Sequence, residues 1–175
     1  MKQDAGEVHA LAGVLDGLYL ACIWLAGVAI FLMSLIIPVG VFMRYVMGFG
    51  AQWPEPIAIL LMMVFTFVGA AAAYRAGAHI AVTMLVDRLP VAAQAWLARG
   101  VHLLMLLVCG FVVIYGSRLC LETMGQSIAE LPWLPVGVTY LAIPAGALAT
   151  AIFVLEHLLA GSQKHRAVVA FGEAA

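Results

Sequence analysis

The chain has 175 residues, of which 66% are hydrophobic and 10% are charged, and its mean hydropathy is +1.11. Soluble domains have about 45–50% apolar and about 25% charged residues, so this composition argues against a protein surrounded by water and indicates an integral membrane protein. The net charge of −1, without any run of basic residues, speaks against nucleic-acid binding.

The first membrane span is predicted at residues 17–43, a stretch without a charged side chain. About 20 helical residues cross the hydrocarbon core, so this stretch is long enough. It also exceeds the roughly 7–15 apolar residues of a signal peptide and is therefore expected to stay as an anchor. Pro38 predicts a kink or the last turns of the helix. Residues 1–16 are polar and are interpreted as a cytoplasmic N-terminal segment.

The second span is predicted at residues 56–74, between Glu55 and Arg75. Proline on both sides of Glu55 suits a first helical turn, where a missing N–H is tolerated. The carboxylate of Glu55 would lie at the positive end of the helix dipole. Gly69 and Ala73 are small residues four positions apart, which predicts close approach of a neighbouring helix.

After this span, polar side chains recur at every fourth position: Arg75, His79, Thr83 and Asp87. On a helix they would form one polar stripe with apolar residues between them. The segment at about 76–98 is too short to cross and too apolar to leave the bilayer. It predicts a short amphipathic helix at the membrane interface or against a partner. A solvated face on an ordinary connecting helix is the alternative.

The third and fourth spans are predicted at about residues 100–121 and 136–157, and residues 161–175 form a cytoplasmic tail. The membrane domain is thus residues 17–160, an all-α unit with four transmembrane helices and one interfacial helix. Pro144 lies inside the fourth span. The pairs Ala142–Gly146 and Ala145–Ala149 in this span predict further close helix contacts.

Lys and Arg are expected to concentrate on the cytoplasmic side of a membrane protein. With both termini inside, the inner segments hold six of the eight Lys and Arg residues, and the outer loops hold only Arg44 and Arg118. This distribution predicts cytoplasmic termini.

The sequence contains no nucleotide-binding P-loop, no zinc-protease or serine-hydrolase motif and no zinc-ligand spacing. We therefore predict no catalytic or metal-binding residue, no cofactor and no enzymatic activity. No charge lies at the middle of a predicted span, although intramembrane charges are what usually mark an ion pathway. Two alternatives remain open. His102 and His157 lie at similar predicted depth and could ligate a haem in the membrane anchor of a redox enzyme. The chain could also be a self-sufficient small carrier.

Four elements in order give the chain a resemblance to a known family. They are Trp-Pro-Glu-Pro at residues 53–56, Val-Gly-Ala-Ala at 68–71, the basic Arg75 followed by Gly-Ala-His-Ile-Ala-Val at 77–82, and Asp-Arg-Leu-Pro at 87–90. The set resembles the small, DctQ-like membrane subunit of tripartite ATP-independent periplasmic (TRAP) transporters. Pro56 departs from the family pattern, which has a second acidic residue there, and leaves Glu55 as the one carboxylate of this element.

The resemblance implies a non-catalytic transporter subunit of the bacterial inner membrane. A periplasmic binding protein would deliver an organic acid, such as a dicarboxylate or sugar acid. A larger membrane subunit would move it inward with sodium, braced by this chain. The residues expected to contact the partner or lipids are Trp53, Glu55, Arg75, His79, Asp87, Arg88, Trp96 and Trp133. The three tryptophans are expected to act as depth anchors in the headgroup region.

Overall fold

The structure is a computed structural model that describes residues 2–50, 52–77 and 91–161. In chain order, the elements are α1 (Lys2–Tyr45), α2 (Pro54–Arg75), α3 (Val91–Thr123), β1 (Ser127–Ile128), β2 (Leu131–Pro135), α4 (Val136–Tyr140) and α5 (Ala142–Ala160). Four stretches are long and apolar enough to cross a membrane: Ala12–Tyr45, Pro54–Arg75, Trp96–Thr123 and Val136–Leu159. The prediction of a mainly helical protein with four such helices is confirmed.

The predicted interfacial helix at about 76–98 is only partly within the described residues. Ala76 and Gly77 form a turn after α2, and residues from Val91 onward already belong to α3. Residues 78–90 lie outside the described ranges, so the interfacial helix stays a prediction.

Helix α1 is longer than the first predicted span, because it begins at Lys2 and includes the polar N-terminal residues. A hydropathy boundary marks where a helix leaves lipid, whereas the backbone hydrogen bonds that define the helix can continue beyond it. Pro38 lies inside α1 and cannot donate to the carbonyl of Ser34. The helix nevertheless continues to Tyr45, so Pro38 does not end it.

Helices α2 and α5 form the centre of the bundle: α2 packs against α1 and α5, and α5 packs against α2 and α3. Small residues permit the closest approaches. A Cβ atom at Gly69 would lie 3.6 Å from Cβ of Ala26 on α1, and one at Gly146 would lie 2.6 Å from the backbone of Phe67 on α2. The core consists of Tyr19, Cys22, Val68, Ala71, Ala72, Tyr74, Ala149, Phe153 and Val154.

The fourth span is interrupted near Pro144, which the sequence places inside this span. Pro144 has no N–H to donate to the carbonyl of Tyr140, and the helix breaks at Leu141 between α4 and α5. The predicted close approach at Gly146 is confirmed. Of the predicted Ala145–Ala149 pair, Ala149 is buried in the core, whereas Ala145 is exposed.

A short antiparallel ribbon joins the third and fourth spans, where the sequence indicated only a polar loop. Strands β1 and β2 pair with Ile128 opposite Leu131, and the N–H of Val136 donates to the carbonyl of Gln126 at 2.8 Å. The ribbon satisfies backbone groups that a loop at a membrane surface would otherwise leave to solvent.

Candidate functional site

Arg75, the last residue of α2, is fully buried and binds two carboxylates from different helices. Its Nε and Nη2 donate to Oε2 and Oε1 of Glu156 on α5, both at 2.7 Å. Its Nη2 also donates to Oδ1 of Asp16 on α1 at 2.7 Å. The side chains of Arg75, Glu156 and Asp16 are 0%, 4% and 23% exposed. This charge cluster, Arg75 with Asp16 and Glu156, connects three of the four spans.

Aromatic rings complete the surroundings of the guanidinium group. Cζ of Arg75 lies 5.3 Å from the ring centres of Tyr19 on α1 and Phe153 on α5, within the range of cation–π attraction. Nη1 is buried and has no hydrogen-bond partner among the described residues. Moving a charge from water into an apolar environment is costly unless the charge is paired, so two carboxylates and two rings account for a fully buried arginine here.

Sequence reasoning predicted Arg75 as a boundary residue but missed both of its partners. Asp16 falls in the predicted N-terminal segment, and Glu156 falls among the last residues of the predicted fourth span, where no role was predicted for it. The solvated alternative for Arg75 is excluded, because its side chain has no exposed surface. A signal was available: in a bundle of alternating direction, the start of the first span and the ends of the second and fourth meet at one membrane face.

A second polar cluster, Tyr74 with His102 and His157, lies next to the charge cluster. The hydroxyl of Tyr74 is 2.6 Å from Nδ1 of His102, and Nδ1 of His157 is 3.0 Å from the carbonyl oxygen of Phe153. The two imidazole centres are 5.9 Å apart, and the Tyr74 ring contacts both, at 6.3 and 5.5 Å. The histidines are therefore close together, whereas the sequence predicted only that they lie at similar depth. Tyr74 packs against both rings, so the cluster does not support a haem held between them.

At the opposite end of the bundle, Arg44 and Glu55 form an exposed ion pair. Nη2 of Arg44 lies 3.0 Å from Oε1 of Glu55, and the two side chains are 44% and 69% exposed. Arg44 lies in the last turn of α1 and Glu55 in the first turn of α2, so the pair closes the short connection between these helices.

Replacing Arg44 with glutamine is expected to change the free energy of unfolding by less than about 1 kcal/mol, because exposed ion pairs contribute about 0.2–1 kcal/mol. Thermal unfolding of the purified chain in detergent measures this change. Arg118→Gln is the matched control, since Arg118 is also exposed. A loss several times larger than in the control would contradict the assignment of Arg44 to a solvated pair.

The three tryptophans predicted as depth anchors all have exposed side chains. Trp53 directly precedes α2 and is 36% exposed, whereas Trp96 on α3 and Trp133 on β2 are 74% and 72% exposed. The structure does not bring these residues into contact with Arg75, whose described partners are those named above. His79, Asp87 and Arg88 lie outside the described residues, so their roles stay predictions.

These features describe a polytopic membrane protein in which a buried arginine is paired with two carboxylates at one end of the helices. The sequence model of the family described as "Tripartite ATP-independent periplasmic transporters, DctQ component" matches residues 33–164. The chain therefore belongs to the DctQ family of TRAP transporter subunits, and it is a small membrane subunit of a transporter rather than an enzyme.

Three similar proteins are described as small permease proteins of TRAP transporters, which agrees with this family. A Haemophilus influenzae protein described as a TRAP transporter small permease protein is 34% identical over 124 residues, covering 70% of this chain and 76% of the relative. The sialic acid TRAP transporter small permease protein SiaQ of Vibrio cholerae is 27% identical over 106 residues, covering 56% and 61%. The ectoine TRAP transporter small permease protein TeaB of Halomonas elongata is 26% identical over 148 residues, covering 84% and 74%.

Proposed function

We propose that this chain braces a separate large membrane subunit during sodium-driven, binding-protein-dependent uptake of an organic acid. The observation that carries the proposal is the charge cluster. Arg75 is paired with Asp16 and Glu156 at one end of three spans, so these buried charges hold helices together. A residue that moves an ion or a solute must instead be able to change partners.

The outward surfaces of α1 and α3 supply the faces that a brace requires. Large apolar side chains on both helices are exposed, including Phe31 on α1 at 63% and Leu107 on α3 at 67%. In a bilayer such faces contact either lipid tails or another membrane protein. In our proposal the large subunit covers one of the two faces, and lipid covers the other.

The proposed substrate class is an organic acid, either a dicarboxylate or a sugar acid. Two relatives are named for sialic acid and ectoine, which supports a small metabolite but leaves its identity to the binding protein. The proposed orientation has both termini in the cytoplasm of a bacterium. It rests on the excess of Lys and Arg in the segments on that side.

Site-specific cross-linking from the two exposed faces tests the brace. The native cysteines Cys22, Cys109 and Cys120 are buried, so a new exposed cysteine is the main reactive thiol. In membranes containing both subunits, either Phe31→Cys or Leu107→Cys is expected to cross-link to the large subunit. Val154→Cys is the control that should not react, since Val154 is 0% exposed. Cross-linking from neither face would contradict the proposed brace.

Transport assays in proteoliposomes test the remainder of the proposal. Uptake of the acid is expected to require both membrane subunits, the loaded binding protein and an inward sodium gradient. Uptake by this chain alone would show that it is a self-sufficient carrier and would overturn the proposal. Uptake that persists when sodium is replaced by potassium would overturn the sodium coupling and leave the brace intact.

A further inference from the structure

The exposed Arg44–Glu55 pair lies where two cavities meet. An apolar groove of about 380 Å³ runs between the end of α1 and the start of α2, and is lined by residues such as Ile37, Val41 and Ala58. A more polar cavity of about 490 Å³ opens on the side of the β1–β2 ribbon and α4. Arg44, Glu55 and Ile59 line both.

Along the membrane normal, the cavity lining changes from charged to apolar in the same order as a lipid changes from headgroup to acyl chain. Arg44 and Glu55 stand at the ends of their spans, next to the exposed Tyr45 and Trp53, and aromatic side chains at such positions mark the headgroup level. Ile37 is seven residues earlier on α1 and so lies about 10 Å deeper. The groove is therefore apolar at the depth of the acyl chains and charged at the depth of the headgroups.

The charges around the polar cavity indicate which kind of lipid headgroup fits it. One cation, Arg44, stands with two acidic side chains, Glu55 and Glu130. The known contact uses one nitrogen of Arg44 and one oxygen of Glu55, and both side chains are largely solvent-accessible. The remaining guanidinium N–H groups suit a phosphate, and the carboxylate oxygens suit an ammonium group that donates hydrogen bonds.

We propose that this double cavity binds a phospholipid with a primary-amine headgroup, of the phosphatidylethanolamine class. Its phosphate contacts Arg44, its ammonium group contacts Glu55 and Glu130, and the upper part of one acyl chain fills the groove. An anionic lipid would bring no cation to the two carboxylates, and a choline headgroup has no N–H to donate.

Native mass spectrometry of the full chain tests the proposal, with phosphatidylethanolamine, phosphatidylglycerol and phosphatidylcholine of identical acyl chains as probes. The wild-type chain is expected to bind the ethanolamine lipid roughly threefold to tenfold more tightly than the other two, as for a few partly exposed charged contacts. Equal binding of all three lipids, or a preference for phosphatidylglycerol, would overturn the proposal.

Variants separate the headgroup contacts from the groove. Glu55→Gln is expected to remove most of the preference over phosphatidylglycerol, and Arg44→Gln to weaken binding of all three lipids. Their controls, Glu122→Gln and Arg118→Gln, carry the same charge changes at exposed positions outside both cavities and should behave as wild type. Because these four side chains are exposed, folding should be retained. An unchanged preference in Glu55→Gln, or undiminished binding of all three lipids in Arg44→Gln, would overturn the assignment.

A bulky side chain placed in the groove tests whether an acyl chain occupies it. Ala58→Phe is expected to weaken binding of all three lipids several-fold, whereas Ala21→Phe, at an exposed position on α1 outside the groove, should not. Undiminished binding in a folded Ala58→Phe variant would overturn the placement of the chain. Cross-linking of an Ala58→Cys variant to the large subunit would show that protein covers the groove, which would also overturn it.

Discussion

Replacing Arg75 with alanine is expected to lower the free energy of unfolding by about 3–5 kcal/mol, because breaking a buried ion pair leaves an uncompensated charge. The side chains of Glu156 and Asp16, which are 4% and 23% exposed, would then lose Arg75 as their partner. Thermal or denaturant unfolding of the purified chain measures the loss. In the reconstituted complex, the same change is expected to lower assembly with the large subunit and uptake.

A conservative variant and a double variant distinguish the loss of the Arg75 charge from the loss of its side-chain volume. Arg75→Lys keeps the charge but cannot make the two parallel bonds to Glu156, so an intermediate loss is expected. The Arg75→Leu, Glu156→Leu double variant should lose less stability than Arg75→Leu alone, because no fully buried carboxylate remains. Arg118→Ala, at an exposed position, is the control. If Arg75→Ala were as stable as Arg118→Ala, the cluster would have no role in holding the spans together.

The four spans could be predicted from the sequence because lipid imposes a simple rule on composition. Each span must be apolar over about 20 residues, and a stretch such as residues 17–43 satisfies this without reference to any other part of the chain. The helix break near Pro144 is also a local effect, since it follows from a missing N–H, although we predicted only that Pro144 lies inside the span. Such local rules predict that a charged residue lies at the edge of a span, but they do not predict which residues it contacts.

The environment of the charges at span edges depends on tertiary contacts, which is why the position of Arg75 could be predicted from the sequence but its surroundings could not. Its partners are 59 and 81 positions away along the chain. Asp16 was taken as the end of a polar segment because the apolar stretch begins directly after it. In the structure α1 continues through Asp16, so this carboxylate faces the bundle. Hydropathy alone does not distinguish a charge that leaves the membrane from one that turns toward a neighbouring helix.

Helix contacts through small residues could be predicted from the sequence only in part. Small residues four apart predict that a close approach is possible, but not which partner helix makes it. Gly146 does face the backbone of α2, whereas Ala145, which is in an equally suitable pair by sequence, is exposed. The rotation of α5 about its axis decides between them, and that rotation is fixed by packing around Phe153 and Val154, both fully buried.

Gly146→Ala is accordingly expected to destabilise the chain by about 1–3 kcal/mol, the usual cost of overpacking. The new Cβ would lie 2.6 Å from the carbonyl carbon and oxygen of Phe67, and since these are backbone atoms, α2 and α5 would have to separate. Gly27→Ala on α1 is the matched control, because nothing lies within 4 Å of its added Cβ. Alanine is favoured over glycine in a helix by about 0.8–1.0 kcal/mol, so the control should unfold at the same or a higher temperature. Unfolding measured side by side should therefore give changes of opposite sign, and a Gly146→Ala variant as stable as Gly27→Ala would show that the two helices do not meet through Gly146.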